Sequence, residues 1–341
     1  MTLYYSTFIT GTQEIVKKVL KEKLKDVKID LLLDGLVVYK TDKPLNQIKS
    51  LRFINNSYFL LKMFKEKGDC EPQELIKSAI SGPEIISNVP KSALKGVKSF
   101  RVIASRENQL ISVDKQILQK VEGLLEKKLK LEVNRTLPDV EVWFLTRKEG
   151  YGFIGLRMTK TPNYEKTLQK GELRPELANI MCILAEFKPS DVVLDPFAGY
   201  GAIPLECGRS FRVGQIFAGE KDKEVFKVLQ EKTRDSKPKM VVGRWDALNL
   251  SSLTNNSVDK IVTDPPWGFY GSQEQDLKTF YKDMLGEFIR VVKPKGTIVI
   301  VTAQKEMFED LIKEFSSLNL EDKYDVLVSG KKAAIYKIKR L

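Results

Sequence analysis

Strand character in "LYYSTFIT" gives way to a helical stripe at Ile15, Val16, Val19, Leu20 and Leu24 within "GTQEIVKKVLKEKL". Next, "VKIDLLL" and "LVVYK" flank Asp34-Gly35, a strong hairpin signal, so the chain opens as strand, helix, strand, strand. Residues 45–65 add a further helix or strand piece with an exposed Arg52, and the polar stretch "EKGDCEPQ" sets it apart from the next unit. That second small α/β unit spans 98–160. It has a strand in "KSFRVIASREN", a helix in "SVDKQILQKVEGLLEKKL" capped by Ser112 or Asp114, an extended crossing in "LEVNRTLPDV", and a hairpin turning near Glu149-Gly150. The polar run "TPNYEKTLQKG" reads as a linker.

Beyond it the period changes to long alternating βα units. Strands are expected in "DVVLDPFAG", "QIFAGEKD", "KMVVGRWDALN", "DKIVTDPPWG" and "KPKGTIVIVTA", with helices between them, and "KYDVLVSGKKAAIYKIKRL" closes the chain as two strands. This alternation predicts an α/β fold with a mostly parallel, doubly wound sheet in which the terminal hairpin makes one strand antiparallel. No period of about 20 to 50 residues repeats, which argues against a solenoid.

The 341 residues, 42% of them hydrophobic, suffice for two or three domains. No stretch approaches the roughly 20 apolar residues of a membrane span, and the first residues lack the basic-then-apolar order of a signal peptide. A cytoplasmic protein without a membrane partner is therefore expected. Three dispersed cysteines (Cys70, Cys182, Cys207) and the absence of histidine argue against structural zinc, Ser-His-Asp or Cys-His chemistry, and histidine acid/base catalysis. No metal is expected. The net charge of +12 is uneven: residues 1–170 hold 31 Lys and Arg against 20 Asp and Glu, whereas 171–341 hold 26 against 25. A polyanion-docking half beside a module of other function is one reading, and well-solvated lysine-rich helices are the other.

In a doubly wound sheet ligands bind beyond the carboxyl ends of the strands. The first ends in "LDPFAGYGAIP", where Gly199 and Gly201 permit close backbone approach and the following helix offers free N–H groups. Glu220 ends the second, suited to ribose hydroxyls, and Asp246 the third, suited to an exocyclic adenine amine, although each also reads as a surface acid. The fourth ends in "TDPPWGFYG", which is either a plain turn or a rigid loop offering acceptors and a stacking ring.

"VLDPFAGYGAIP", Glu220, Asp246 and "TDPPW" occur in the order that resembles class I, Rossmann-like S-adenosylmethionine methyltransferases acting on exocyclic amines. The amino half resembles a THUMP domain with a ferredoxin-like partner, and "KGELRPELANIM" is similar to the segment leading into the catalytic domain of tRNA guanine-N2 methyltransferases. That resemblance implies a seven-stranded, mostly parallel sheet with a carboxyl-terminal antiparallel hairpin, preceded by an α+β region. It divides the chain into a ferredoxin-like domain (1–65), a THUMP domain (66–160), a linker (161–172) and a methyltransferase domain (173–341). S-adenosyl-L-methionine is the implied cofactor, held by Asp195, Phe197, Ala198, Gly199, Gly201, Glu220, Asp246 and Ala247. Asp264, Pro265, Pro266 and Trp267 are the implied catalytic loop. Trp267 would stack on the base, with Gly268 and Tyr270 completing its pocket. The implied partner is tRNA, docked at its acceptor end by the basic half and bound by a monomer, with Arg101, Arg106, Arg135 and Arg147 as phosphate contacts.

Two departures stand out. Tyr200 occupies a position usually small, and Asp264 replaces the Asn common in guanine-N2 enzymes, which keeps adenine-N6 methylation open. A noncatalytic RNA-binding protein is the remaining alternative, and the intact set of strand-end residues argues against it.

Overall fold

The structure, a computed structural model, describes residues 1–65, 71–81, 89, 91–107, 109–159, 168–169, 171–268 and 277–341; Cys70, most of the expected linker and Tyr270 lie outside them. Contacts divide the chain into two units, Met1–Thr7 with Lys17–Pro162, and Phe8–Val16 with Asn163–Leu341.

The chain begins with β1 (Thr2–Thr7), α1 (Gln13–Leu24), β2 (Lys28–Leu33), β3 (Leu36–Thr41), α2 (Leu45–Lys49) and β4 (Asn56–Lys65). All five apolar stripe residues of α1 are buried, and Gly35 at φ +83° makes the β2–β3 turn. Next come α3 (Pro72–Ser81), β5 (Ser99–Arg106), β6 (Gln109–Leu110), α4 (Lys115–Leu129), β7 (Glu132–Val133), β8 (Val140–Thr146) and β9 (Tyr151–Arg157). Asp114 caps α4 by accepting from the N–H groups of Gln116 and Ile117. Helix α3 begins at the end of the polar stretch "EKGDCEPQ" and runs beyond it, with Leu75 and Ile76 buried.

These strands form one sheet, ordered β2-β3-β1-β4-β9-β8-β5-β6, with β7 also paired to β5. Antiparallel pairing of β4 with β9 joins the stretches 1–65 and 99–157, so the boundary expected at residue 65 falls between strands of one sheet. Tyr5 stacks on Tyr58 with ring centroids 4.3 Å apart, within a cluster that includes Leu60, Leu145 and Phe153.

The second unit runs α5 (Pro175–Ala185), β10 (Val192–Asp195), α6 (Ala202–Ser210), β11 (Gln215–Gly219), α7 (Lys223–Thr233), β12 (Met240–Gly243), β13 (Val258–Thr263), α8 (Leu277–Val291), β14 (Val292–Thr302), α9 (Lys305–Glu314), β15 (Leu318–Val328) and β16 (Lys331–Arg340). Its seven strands lie in the order β12-β11-β10-β13-β14-β16-β15, and β16 alone runs against its neighbours, as expected. Tyr281, Met284 and Phe288 of α8 and Phe308 of α9 pack with Ile298 and Ile300 of β14 in the core. Strand order reverses between β10 and β13, which opens a crevice at their carboxyl ends.

Two glycines shape one side of that crevice. A Cβ on Gly243 would lie 2.0 Å from the Trp245 ring, and one on Gly219 would lie 3.1 Å from it, so the indole packs directly over the backbone of β11 and β12. Gly243→Ala is expected to destabilise the second unit by about 1–3 kcal/mol through overpacking, measured as a lower urea midpoint at unchanged slope.

Candidate active site

At the carboxyl ends of β10, β11, β12 and β13 lies a cavity of about 1530 Å³. Asp195, Phe197, Ala198, Gly199, Tyr200, Glu220, Asp246, Ala247, Asp264, Pro265, Pro266, Trp267 and Gly268 all line it. Segment 171–174 forms another wall, and Val328, Ser329 and Lys331 at the β15–β16 turn a further one.

The two glycines after β10 do different work. Gly199 (φ +52°) leaves open space where a Cβ would project, with only the Phe197 carbonyl oxygen within 4.0 Å. Gly201 (φ +93°) is closely packed, because a Cβ there would meet Leu229 at 3.0 Å and Leu205 at 3.1 Å. Thus Gly199 lets a ligand approach the loop, whereas Gly201 lets the loop turn into α6. Glu220 accepts from the N–H groups of Gly199 (3.1 Å) and Asp222 (2.7 Å), bracing the loop from the neighbouring strand. Asp246 pairs with Lys221 at 2.6 Å and accepts from the Leu248 N–H. Burial works to raise its carboxyl, but Lys221 and that N–H outweigh burial and hold it below the usual range. The donor set fits a nucleoside: two carboxylates at successive strand ends, an open glycine loop and an apolar wall from Phe197 and Ala198.

Deeper in the crevice two acids shift the opposite way from Asp246. Asp195, 2% exposed, accepts from Thr263 Oγ1 at 2.7 Å and from the Phe197 N–H at 3.2 Å, yet burial pushes its carboxyl up to about 7. Burial likewise pushes Asp264 up to about 8, with the Asp195 charge adding to the shift and the Trp267 indole opposing it. Trp267 donates its indole N–H to Asp264 Oδ1 (2.9 Å) and to the Val301 carbonyl (3.2 Å). Tyr281 donates to the Pro266 carbonyl (3.1 Å) and is hydrogen-bonded to Thr302 (2.8 Å), while Gln304 donates to the Trp267 carbonyl (2.7 Å). The loop is therefore a set of aimed acceptors tied to α8 and the end of β14.

Residues 162–333, half of the chain, match the family model described as the RMKL-like methyltransferase domain. The chain belongs to that family. This methyltransferase is 28% identical over 226 residues to the tRNA (guanine(6)-N2)-methyltransferase of Thermus thermophilus, covering 65% of the chain and 67% of that relative. It is 27% identical to tRNA (guanine(6)-N(2))-methyltransferase THUMP3 of Mus musculus over 72% of the chain, but spans only about half (52%) of that longer protein. In fold it resembles the crystal structure of TrmN from Thermus thermophilus, with a TM-score of 0.80 at 22% identity and 100% of each chain covered.

Several residues of this methyltransferase site carry no local sequence signal. Thr263 and Trp245 adjoin residues already singled out, so their neighbours pointed to them. Lys221 likewise adjoins Glu220, whereas Tyr281, Gln304 and the β15–β16 turn reach the loop or the cavity only through folding. Tyr200 lines the cavity with the Lys232 ammonium 5.4 Å from its ring centroid, and Lys232 also pairs with Glu172 at 3.1 Å. Among the described residues, no group of three or more His, Cys, Asp or Glu is arranged to hold a metal, and no helix is long and apolar enough to cross a membrane.

The four arginines expected at an RNA surface require correction in one case. Arg147 is 4% exposed, paired with Glu107 (2.9 Å) and Glu149 (3.2 Å), and donates to the Asp34 carbonyl. It is an internal tie, because a buried guanidinium must be fully paired. Arg101, Arg106 and Arg135 are partly exposed but already paired with Glu141, Glu71 and Glu122. Arg147→Ala should cost about 3 kcal/mol or more of stability, read from a denaturant melt, by leaving Glu107 and Glu149 without their cation.

The acids of the crevice set a pH dependence. Asp195 and Asp264 bind protons more tightly folded than unfolded, where an ordinary carboxyl titrates near 3.8. The stability they contribute is full below about pH 4 and is lost as pH rises through about 7 and 8. Thermal melts should show the melting temperature falling from pH 5 to 8 and levelling above, with a shallower fall in Asp264→Asn; equal slopes would refute this.

Proposed function

We propose that the chain transfers a methyl group from S-adenosyl-L-methionine to the exocyclic N2 amine of a guanosine in tRNA. One arrangement carries the reading: the Asp264–Trp267 loop shares a single cavity with the glycine loop, Glu220 and Asp246. The cofactor, when bound, supplies an electrophilic methyl on a sulfonium. Asp195, Phe197, Ala198, Gly199, Gly201, Glu220, Asp246 and Ala247 are assigned to hold it, Glu220 at the ribose and Asp246 at the adenine amine.

An exocyclic amine is a weak nucleophile because its lone pair is delocalised into the ring. Asp264 and the Pro265 carbonyl each accept one amine N–H, which orients the lone pair without any histidine. Tyr281 and Gln304 occupy the Pro266 and Trp267 carbonyls, which directs the second acceptor role to Pro265. Trp267 and Gly268 line the base's side of the pocket. With Oδ1 engaged by the Trp267 indole, the second oxygen of Asp264 is an unprotonated acceptor for the amine N–H only in the carboxylate, so transfer should accelerate as pH rises through about 8.

The amino-terminal unit is assigned as the ferredoxin-like and THUMP region (1–65 and 66–160), with 161–172 as linker, docking the tRNA acceptor end. All but six of the 31 cations in residues 1–170 are lysines, so lysine ammoniums supply most of the phosphate contacts and binding weakens with salt. The relatives' names specify guanine-N2, which weighs against adenine-N6 methylation.

Labelled cofactor with unmodified tRNA should yield N2-methylguanosine on nucleoside digestion, whereas N6-methyladenosine would sink the assignment. Asp264→Ala should lower the transfer rate by roughly 100-fold or more with tRNA affinity nearly unchanged in a binding titration. A large loss of affinity would instead make Asp264 structural.

A further inference from the structure

Position 264 meets two demands at once. Its side chain accepts the Trp267 indole N–H on Oδ1 at 2.9 Å, and in guanine-N2 transfer it also accepts an N–H of the substrate amine. Indole nitrogen is a donor only, so the group facing it has to be an acceptor. A carboxylate has an oxygen for each task. An amide has one oxygen and one NH2, so its single oxygen has to serve the indole and the substrate amine together, because an NH2 turned to either one sets donor against donor.

The indole cannot turn away without cost. Its N–H is shared with the Val301 carbonyl at 3.2 Å, and its own backbone carbonyl is held by Gln304 at 2.7 Å. Trp267 thus stays in register with the end of β14 while its edge addresses Asp264.

We infer that Trp267 is a positioning residue: its indole N–H engages one oxygen of Asp264 and leaves the other to the substrate amine, which favours a carboxylate over an amide at position 264. This rests on the amine-methylating assignment. Asp264 and Trp267 are then one functional pair.

The test compares wild type, Asp264→Asn, Trp267→Phe and the double variant in single-turnover methyl transfer to unmodified tRNA. Asp264→Asn should be slower by ~100-fold and Trp267→Phe by less than ~10-fold. The double variant should be at least ~10-fold faster than Asp264→Asn alone, because the phenyl ring frees the amide oxygen for the substrate. Affinity for S-adenosylhomocysteine and the melting temperature should stay near wild type in Asp264→Asn, which separates acceptor geometry from misfolding. Losses that simply multiply in the double variant overturn the inference.

A second readout does not need activity. The Trp267 indole N–H resonance, assigned by its absence in Trp267→Phe, should move with pH in wild type and stay still in Asp264→Asn. An indole resonance indifferent to both overturns the pairing. Wild type that transfers nothing to any tRNA overturns the underlying assignment and the amine half of the inference, while the resonance still decides the Trp267–Asp264 half.

Discussion

Everything at the site depends on keeping an acidic side chain as a hydrogen-bond acceptor inside a wall that favours its neutral form. Burial pushes Asp264 up to about 8, the Asp195 charge adds to that pressure, and one indole N–H opposes it. The surrounding bonds read as consequences of this problem. Tyr281, itself hydrogen-bonded to Thr302, holds the Pro266 carbonyl and Gln304 holds the Trp267 carbonyl, so the loop's geometry is fixed within the protein itself. In the proposed transfer, preorganisation of this kind orients the amine without a histidine.

The cofactor side of the cavity is built on a different physical basis. Backbone conformation dominates there, with Gly199 opening space and Gly201 turning the chain under the pressure of Leu229 and Leu205. Trp245 lies over Gly219 and Gly243 and adjoins Asp246, so packing of the indole, with Lys221 and the Leu248 N–H, presents that acid at the strand end. The two sides meet at Asp195, which ends β10 and receives the hydroxyl of Thr263 from β13. That bond spans the point where strand order reverses, tying the glycine loop to the Asp264–Trp267 loop.

In the amino-terminal unit, charge is divided between two kinds of cation. Arginine forks are spent on internal carboxylates, most completely at Arg147, while lysines hold the excess positive charge. The planar guanidinium suits fixed two-point pairing, and the hydrated ammonium suits solvent and mobile phosphate oxygens.

Local sequence determined a great deal. Period and turn chemistry marked the helix at 13–24, the hairpin at Asp34-Gly35, the Asp114 cap, the alternating strands of the second unit and the single reversed strand, because each depends on neighbours within a few residues. The strand-end residues were legible for the same reason, since a doubly wound sheet places its polar termini in one crevice. Folding alone decided the pairing of β4 with β9, the burial of Arg147, the ties of Tyr281 and Gln304 to the Asp264–Trp267 loop, and the place of the β15–β16 turn at the cavity. Those contacts join residues tens of positions apart, and no local pattern of polarity encodes which side chain will face which. The direction of the Trp267 indole belongs to this second group. Its presence beside two prolines was plain in the sequence, but that its N–H turns to Asp264 is decided by where β14 ends.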